Sequence, residues 1–251
     1  MTIQLIPIKL EKDPIIDVVF EMRFASSTAA SGILPGFLFA KFTPAEWRIE
    51  ALPISDIPSQ IRSSDLNLRY QPVMRIHWDD FILLVGDRVI GIACKMPYQG
   101  WDVFKSRIIK VVGVLAEAKI VQTIERYSLK YSNILEGRSL SEQIQKVDID
   151  LRVGSHTVKQ ESITIRVEFP NDDFMNIIQI VAEVTAQMVG GKERKGSLVD
   201  IDTLCNYTTN DLHTFTNELP DRLETIHSVN KKTFFDCLRQ ETVDSLVPVY
   251  E

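Results

Sequence analysis

The stretch IIDVVFEMRF, residues 15–24, decides how the first half of this chain folds. Phe20, Met22 and Phe24 alternate with charged and β-branched residues, and this period of two is typical of a β-strand with one face against a core. The other face carries Glu21 and Arg23. We therefore expect an amphipathic strand here, and the surrounding segments can be placed around it.

Together with this strand, the segments that follow it predict the order strand, helix, two or three strands, helix, strand. Residues 31–42 and 101–119 have helical spacing of apolar residues. Residues 44–65 are rich in Pro and Ser and predict a long excursion with little regular structure. The remaining predicted strands are 70–78, 81–93 with a turn at 86–88, and 123–135. The order approximates a ferredoxin-like β-α-β-β-α-β unit over residues 1–136.

Residues 137–251 predict a second α+β unit, an antiparallel β-meander packed on a long C-terminal helix. This helix begins at Asp211 or Asp221 and runs to Leu238, and Pro220 starts or kinks it. Turn residues separate the four predicted strands, which are 147–153, 162–169, 177–188 and 198–207. The predicted fold class is thus α+β, in two small units.

The amino-acid composition limits the classes of protein to which this chain can belong. The 251 residues are 45% hydrophobic and 25% charged, which is typical of a folded globular chain, and the formal net charge of −6 gives no general attraction to nucleic acid or to anionic membranes. Three cysteines without a CxxC pair favour neither a zinc ribbon nor a disulfide framework, so we expect buried thiols. The N-terminus lacks signal-peptide features and no apolar run is long enough to span a bilayer. We therefore expect a cytoplasmic protein without membrane association.

Four short sequence blocks and a C-terminal segment occur together in one order along the chain. The C-terminal segment contains His227, Phe234 and Phe235. The blocks are residues 13–24 (DPIIDVVFEMRF), 97–101 (PYQGW), 125–133 (ERYSLKYSN) and 198–202 (LVDID). In this combination the chain resembles a sporadically distributed prokaryotic family of similar length that has no assigned function. Asp17 stands where the family pattern has Glu, and Lys130 where it has Arg. The resemblance implies horizontally mobile genes of the defence or toxin–antitoxin type.

Charged residues on the strands are candidate binding groups. Glu21 and Arg23 share one strand face, and Arg126 and Lys130 share another. If the strands are neighbours, the four side chains form a cross-strand ladder of ion pairs, which is the interpretation we favour. The alternative is a face that binds a phosphate or a partner's carboxylates.

Two further pairs of residues are candidates for a site. Asp200 and Asp202 project from one strand face and could bind Mg²⁺, although bridging to the ladder or to a helix is favoured. Tyr98 and Trp101 flank Gly100, and we expect them to wedge the following helix onto the sheet, with stacking on a ligand or partner as the alternative. No cofactor is predicted.

The sequence has no GxxxxGK[ST], GxGxxG, HExxH or GxSxG motif. The favoured hypothesis is therefore a non-enzymatic protein-interaction module, an accessory or neutralising component of a mobile defence or toxin–antitoxin system, which binds another protein or a second copy of itself. One alternative is a module that binds a nucleotide or another anionic small molecule through Arg23, Arg126 and Tyr98. The least favoured alternative is a Mg²⁺-dependent nuclease that uses Asp200 and Asp202.

Overall fold

The computed structural model describes residues 6–42, 47–188 and 190–250. It contains a large antiparallel β-sheet and several helices, so the predicted α+β class is confirmed. In the first part of the chain the elements are β1 Lys9–Leu10, β2 Ile15–Ser26, α1 Leu34–Phe42, β3 Trp47–Ala51, α2 Ser59–Ser64, β4 Pro72–Trp78, β5 Phe81–Gly86, β6 Val89–Cys94, α3 Trp101–Glu117 and β7 Val121–Glu136. They are followed by α4 Leu140–Gln145, β8 Arg152–Val153, β9 His156–Thr157, β10 Thr164–Asn171, β11 Phe174–Gln187, β12 Glu193–Thr209, α5 Leu212–Asp236, α6 Gln240–Ser245 and β13 Pro248–Val249.

The chain divides into two compact units that are each discontinuous in sequence. Unit A consists of Asp17–Leu129 and Leu204–Ile226. Unit B consists of the chain up to Ile16, Lys130–Thr203 and the chain from His227 onward. The boundaries fall inside β2, β7, β12 and α5. A division into independent domains 1–136 and 137–251 stays a prediction.

In unit A the strand order is β7-β2-β6-β5-β4-β3. The alternation predicted for β2 is confirmed, because Phe20, Met22 and Phe24 are buried while the residues between them are half-buried. Helix α3 covers the core with the predicted stripe, which includes Phe104 and Ile108. The core of unit A thus forms from two segments whose periodicity is visible in the sequence.

The ferredoxin-like arrangement is not confirmed. Among the described residues between α1 and α3 there are four strands, β3 to β6, where the sequence predicted two or three. Strand β6 lies between β2 and β5 and is antiparallel to both, so the departure from the predicted unit lies in the number of strands. The additional strand is β3, which lies in the stretch 44–65 that was predicted to have little regular structure. That prediction was wrong for residues 47–64, which form β3, a short 3-10 turn and α2.

In unit B the strand order is β10-β11-β12-β7, and β10 and β11 are antiparallel. Residues 147–153 do not form the first of the four predicted strands: Val147 makes a single bridge to Leu238, and among the described residues β8 pairs only with β9. The C-terminal part of α5 packs Phe234 and Phe235 against Val199 of β12 and other buried residues of unit B. Helix α5 starts at Leu212, so Pro220 lies inside it and does not begin it. Within the described residues no helix is both long enough and apolar enough to cross a membrane.

Candidate functional site

Glu21 connects the charged residues of β2 and β7 in unit A. Its Oε1 accepts hydrogen bonds from Arg23 Nε at 2.7 Å and from Arg126 Nη2 at 3.1 Å. The Arg23 guanidinium also lies 4.8 Å from the ring centroid of Tyr70. Three of the four side chains of the predicted ladder therefore meet, and both arginines are paired with the carboxylate of Glu21.

Lys130 is engaged separately, in unit B. Its Nζ lies 2.9 Å from Asp200 Oδ2, and Ser132 Oγ donates to Asp200 Oδ1 at 3.0 Å. Both carboxylate oxygens of Asp200 thus have protein partners. Asp202 is half-buried on the same strand, and the described residues contain no group of three or more His, Cys, Asp or Glu side chains arranged to hold a metal ion.

Tyr98 and Trp101 lie where β6 leads into α3. The ring centroids of both are 6.4 Å from that of Phe104 in edge-to-face geometry. Trp101 Nε1 donates to Glu224 Oε2 at 3.0 Å, and Lys105 Nζ lies 2.6 Å from Glu224 Oε1. Both rings therefore pack on Phe104 of α3, and Trp101 also contacts α5. The wedging of α3 onto the sheet and a ligand-binding role for these rings both stay predictions.

Helix α1 presents an apolar surface. Its sequence, LPGFLFAKF, has one charged residue, and Leu34 and Leu38 are buried while Phe37 and Phe39 are exposed. A helix that is apolar on all sides is normally enclosed by protein. Phe37 and Phe39, two residues apart on the helix, therefore lie on different sides of it, and both are exposed to water.

Strand β3, which lies at the edge of the strand order in unit A, adds apolar side chains next to Phe39. The ring centroid of Phe39 lies 5.6 Å from that of Trp47, and Ile49 projects to the same strand face two residues later. Phe39 is 56% exposed and Ile49 50% exposed. We call Phe39, Trp47 and Ile49, together with the outer edge of β3, the β3 edge surface.

Arg48 and Glu50 occupy the opposite face of β3, on either side of Ile49. His77 Nε2 lies 2.9 Å from Arg48 Nη2 and 3.4 Å from Glu50 Oε2. A ring nitrogen cannot accept from Arg48 and donate to Glu50 at the same time. His77 can therefore satisfy only one of these two side chains.

The outer strand of unit B, β10, differs from β3 in two respects. Arg166 Nη2 lies 2.6 Å from Glu168 Oε1, so the two charges of this strand satisfy each other. Pro170 lies near the end of β10 and lacks the N–H that a further strand would need. These features protect β10 against strand addition, which makes β3 the more suitable edge for a partner.

Sequence reasoning missed the β3 edge surface because the Pro and Ser residues around it predicted a loop. A signal was present in WRIEA, residues 47–51, where Trp47, Ile49 and Ala51 alternate with Arg48 and Glu50. This is the period of two of a strand with one polar face.

No protein-family model matches the chain, and no curated protein matches it.

Proposed function

We propose that this chain is a non-enzymatic protein-interaction module that associates through the β3 edge surface, and that its partner there is a second copy of the chain. The observation that carries the proposal is the order of residues in β3, where an aliphatic residue at the edge stands between a base and an acid. An unpaired strand edge with an adjoining apolar surface is a template for strand addition.

The order Arg48-Ile49-Glu50 is self-complementary. If two copies of β3 pair antiparallel about a two-fold axis at Ile49, then Ile49 faces Ile49 and each Arg48 faces the partner's Glu50. Opposite charges directly across an antiparallel pair are stabilising. The same register places the small Ala51 opposite Trp47, which leaves room for the indole ring.

The alternatives have less support. Arg23 and Arg126 share Glu21, and Tyr98 packs on Phe104, which disfavours an anion site at these residues. Asp200 is bound by Lys130 and Ser132, which disfavours a role as a nuclease ligand. The accessory or neutralising role in a mobile defence or toxin–antitoxin system rests on the family resemblance alone.

Charge reversal tests the proposal. Sedimentation velocity at increasing protein concentration should show a dimer for the wild-type chain. Arg48→Glu puts a carboxylate opposite Glu50 of the second copy, and should weaken the dimer at least about tenfold, since like charges across a strand pair repel. Glu50→Arg should do the same, and the double variant Arg48→Glu/Glu50→Arg should restore the dimer.

Arg166→Glu on β10 is the matched control, because it reverses a charge on the other outer strand, and it should leave the dimer unchanged. A wild-type chain that stays monomeric would contradict the proposal. So would a dimer that survives Arg48→Glu, a double variant that fails to restore it, or dissociation by Arg166→Glu. Far-UV circular dichroism of each variant establishes that the monomer is folded.

A further inference from the structure

A cavity of about 410 Å³ opens on the surface of unit A between α1, β4 and α3. It is lined by Lys41, Phe42, Trp78, Arg107, Lys110, Gly113, Val114 and Glu117. Three of these side chains are cationic and one is a carboxylate, so the lining has an excess of positive charge although the whole chain is acidic. The volume lies in the range of small-molecule sites, roughly 300–1,000 Å³.

Arg107 is held by aromatic rings. Its guanidinium carbon lies 4.9 Å from the ring centroid of Trp78 and 5.5 Å from that of Phe81. Within the described part of the chain no carboxylate forms an ion pair with it. A guanidinium that stacks on rings keeps its in-plane N–H donors for a bidentate anion, and its orientation is set before the anion arrives.

Lys110 and Lys41 add charge on two sides of the cavity. Lys110 follows Arg107 by three residues on α3 and therefore lies beside it on the helix surface. It too has no ion-pair partner among the residues that the structure describes. Lys41 Nζ lies 2.5 Å from Glu117 Oε2, so Lys41 is largely neutralised. Two adjacent cationic groups are therefore available for a ligand.

The other side of the cavity is apolar and open. The Phe42 ring stacks on Trp78 with centroids 4.0 Å apart and an interplanar angle of 9°. A Cβ added to Gly113 would meet nothing within 4 Å. The site therefore has space for an organic group next to the two cations.

From this arrangement we infer that the cavity binds a small organic molecule that carries a diphosphate group. Arg107 holds the oxygens of one phosphate in bidentate fashion, and Lys110 neutralises the second phosphate. The organic part of the ligand packs against Phe42. A diphosphate suits the site because its two phosphates are joined through one oxygen, so two long side chains that are neighbours on one helix surface can each contact one of them.

Titration calorimetry with inorganic pyrophosphate and with ADP, in magnesium-free buffer of low ionic strength, tests the assignment. Both should bind, with pyrophosphate at least about tenfold tighter than orthophosphate. ADP should bind at least as tightly as pyrophosphate, since it adds an organic group. Arg107→Gln and Lys110→Gln should each weaken pyrophosphate binding about tenfold, because each removes one charged contact.

Gly113→Leu, whose Cβ would meet nothing within 4 Å, should abolish ADP binding by filling the space. Lys192→Gln, which removes an exposed charge outside the cavity lining, is the control and should leave binding unchanged. The absence of binding at millimolar pyrophosphate and ADP would overturn the assignment. Equally tight binding of succinate would show that a dicarboxylate and not a phosphate is recognised. Because Lys110 is exposed, Lys110→Gln leaves the fold intact, and unchanged affinity in that variant would also overturn the assignment.

Discussion

Arg62 of α2 and Asp87 of the turn between β5 and β6 form a buried ion pair. Arg62 Nη2 lies 2.8 Å and Nε 2.9 Å from Asp87 Oδ2, and each side chain is 9% exposed. Ser31 Oγ donates to Asp87 Oδ1, and Arg62 Nη1 donates to the carbonyl oxygen of Ile57. The ion pair thus holds α2, which lies in the stretch predicted to have little regular structure, against the turn between β5 and β6.

Removing one partner of this pair should destabilise the fold strongly. Asp87→Ala leaves the Arg62 guanidinium buried without its carboxylate, and should lower the free energy of unfolding by about 3–5 kcal/mol. Urea denaturation followed by circular dichroism measures the loss. The control is Arg166→Ala, which breaks the exposed Arg166–Glu168 pair and should cost less than about 1 kcal/mol. Similar losses in the two variants would show that the Arg62–Asp87 pair contributes little.

Glu21 should matter more to stability than either arginine that it binds. Glu21→Gln weakens the contacts to Arg23 and Arg126 together, whereas Arg23→Gln removes only one of them. Because the three side chains are only partly exposed, we expect a loss of about 1–2 kcal/mol for Glu21→Gln and about half of that for Arg23→Gln. Chemical denaturation of the three proteins under one set of conditions provides the comparison. If Arg23→Gln costs as much as Glu21→Gln, the shared carboxylate is not the centre of the cluster.

The thiols of Cys94 and Cys237 should be inert near neutral pH. Burial raises the pKa of each to about 12, with the charge of Asp17 adding to the effect at Cys94 and those of Asp236 and Asp148 at Cys237. At pH 8 about one part in ten thousand of such a thiol is thiolate, and only the thiolate reacts with a disulfide reagent. Mass spectrometry after a pulse of reagent should find both residues unlabelled in the folded chain and labelled in urea.

The same two pKa values imply that stability falls in alkali. A folded-state pKa above the unfolded value means that the folded state holds the proton more tightly, so this stability is fully present below the ordinary pKa of 9.0. It is lost as pH rises from 9.0 toward about 12. Cys94→Ala should therefore flatten the decline in unfolding free energy above pH 9, relative to the wild-type chain. An unchanged slope would argue against a raised pKa at Cys94.

Gly113→Ala should stabilise unit A. Gly113 lies inside α3, a Cβ there meets nothing, and Ala is favoured over Gly in a helix interior by about 1 kcal/mol. Gly86→Ala is the opposite case, because its Cβ would come within 2.5 Å of the carbonyl oxygen of Gln71 and within 2.6 Å of Val89 Cγ1. Thermal unfolding should show a higher midpoint for Gly113→Ala and a lower one for Gly86→Ala. A lower midpoint in both would mean that the cavity beside Gly113 does not tolerate even a methyl group.

Local periodicity was sufficient to predict the elements that carry a strong pattern. The alternation in β2 and the helical stripe of α3 were correct in type and within a few residues in their bounds, because side-chain direction repeats every two residues in a strand and every 3.6 in a helix. The contacts of Glu21 with Arg23 and Arg126 also follow from strand alternation once β2 and β7 are neighbours. Ser139 caps α4, as Ser commonly does at this position, by accepting a hydrogen bond from the backbone N–H of Glu142.

Contacts between distant parts of the chain were not encoded in any local pattern. Trp47 becomes part of a strand because it pairs with Trp78, and Arg62 is buried because Asp87 reaches it from a turn. Arg107, Lys110 and Lys41 are ordinary helix-surface residues in the sequence, and only the packing of α1 and α3 over β4 brings them to one cavity. The sequence alone therefore determined the α+β class, the amphipathic faces and most element types, since these depend on neighbours along the chain. Only the tertiary structure decided which edge of the sheet is open and which charges are paired, because both depend on residues far apart in sequence.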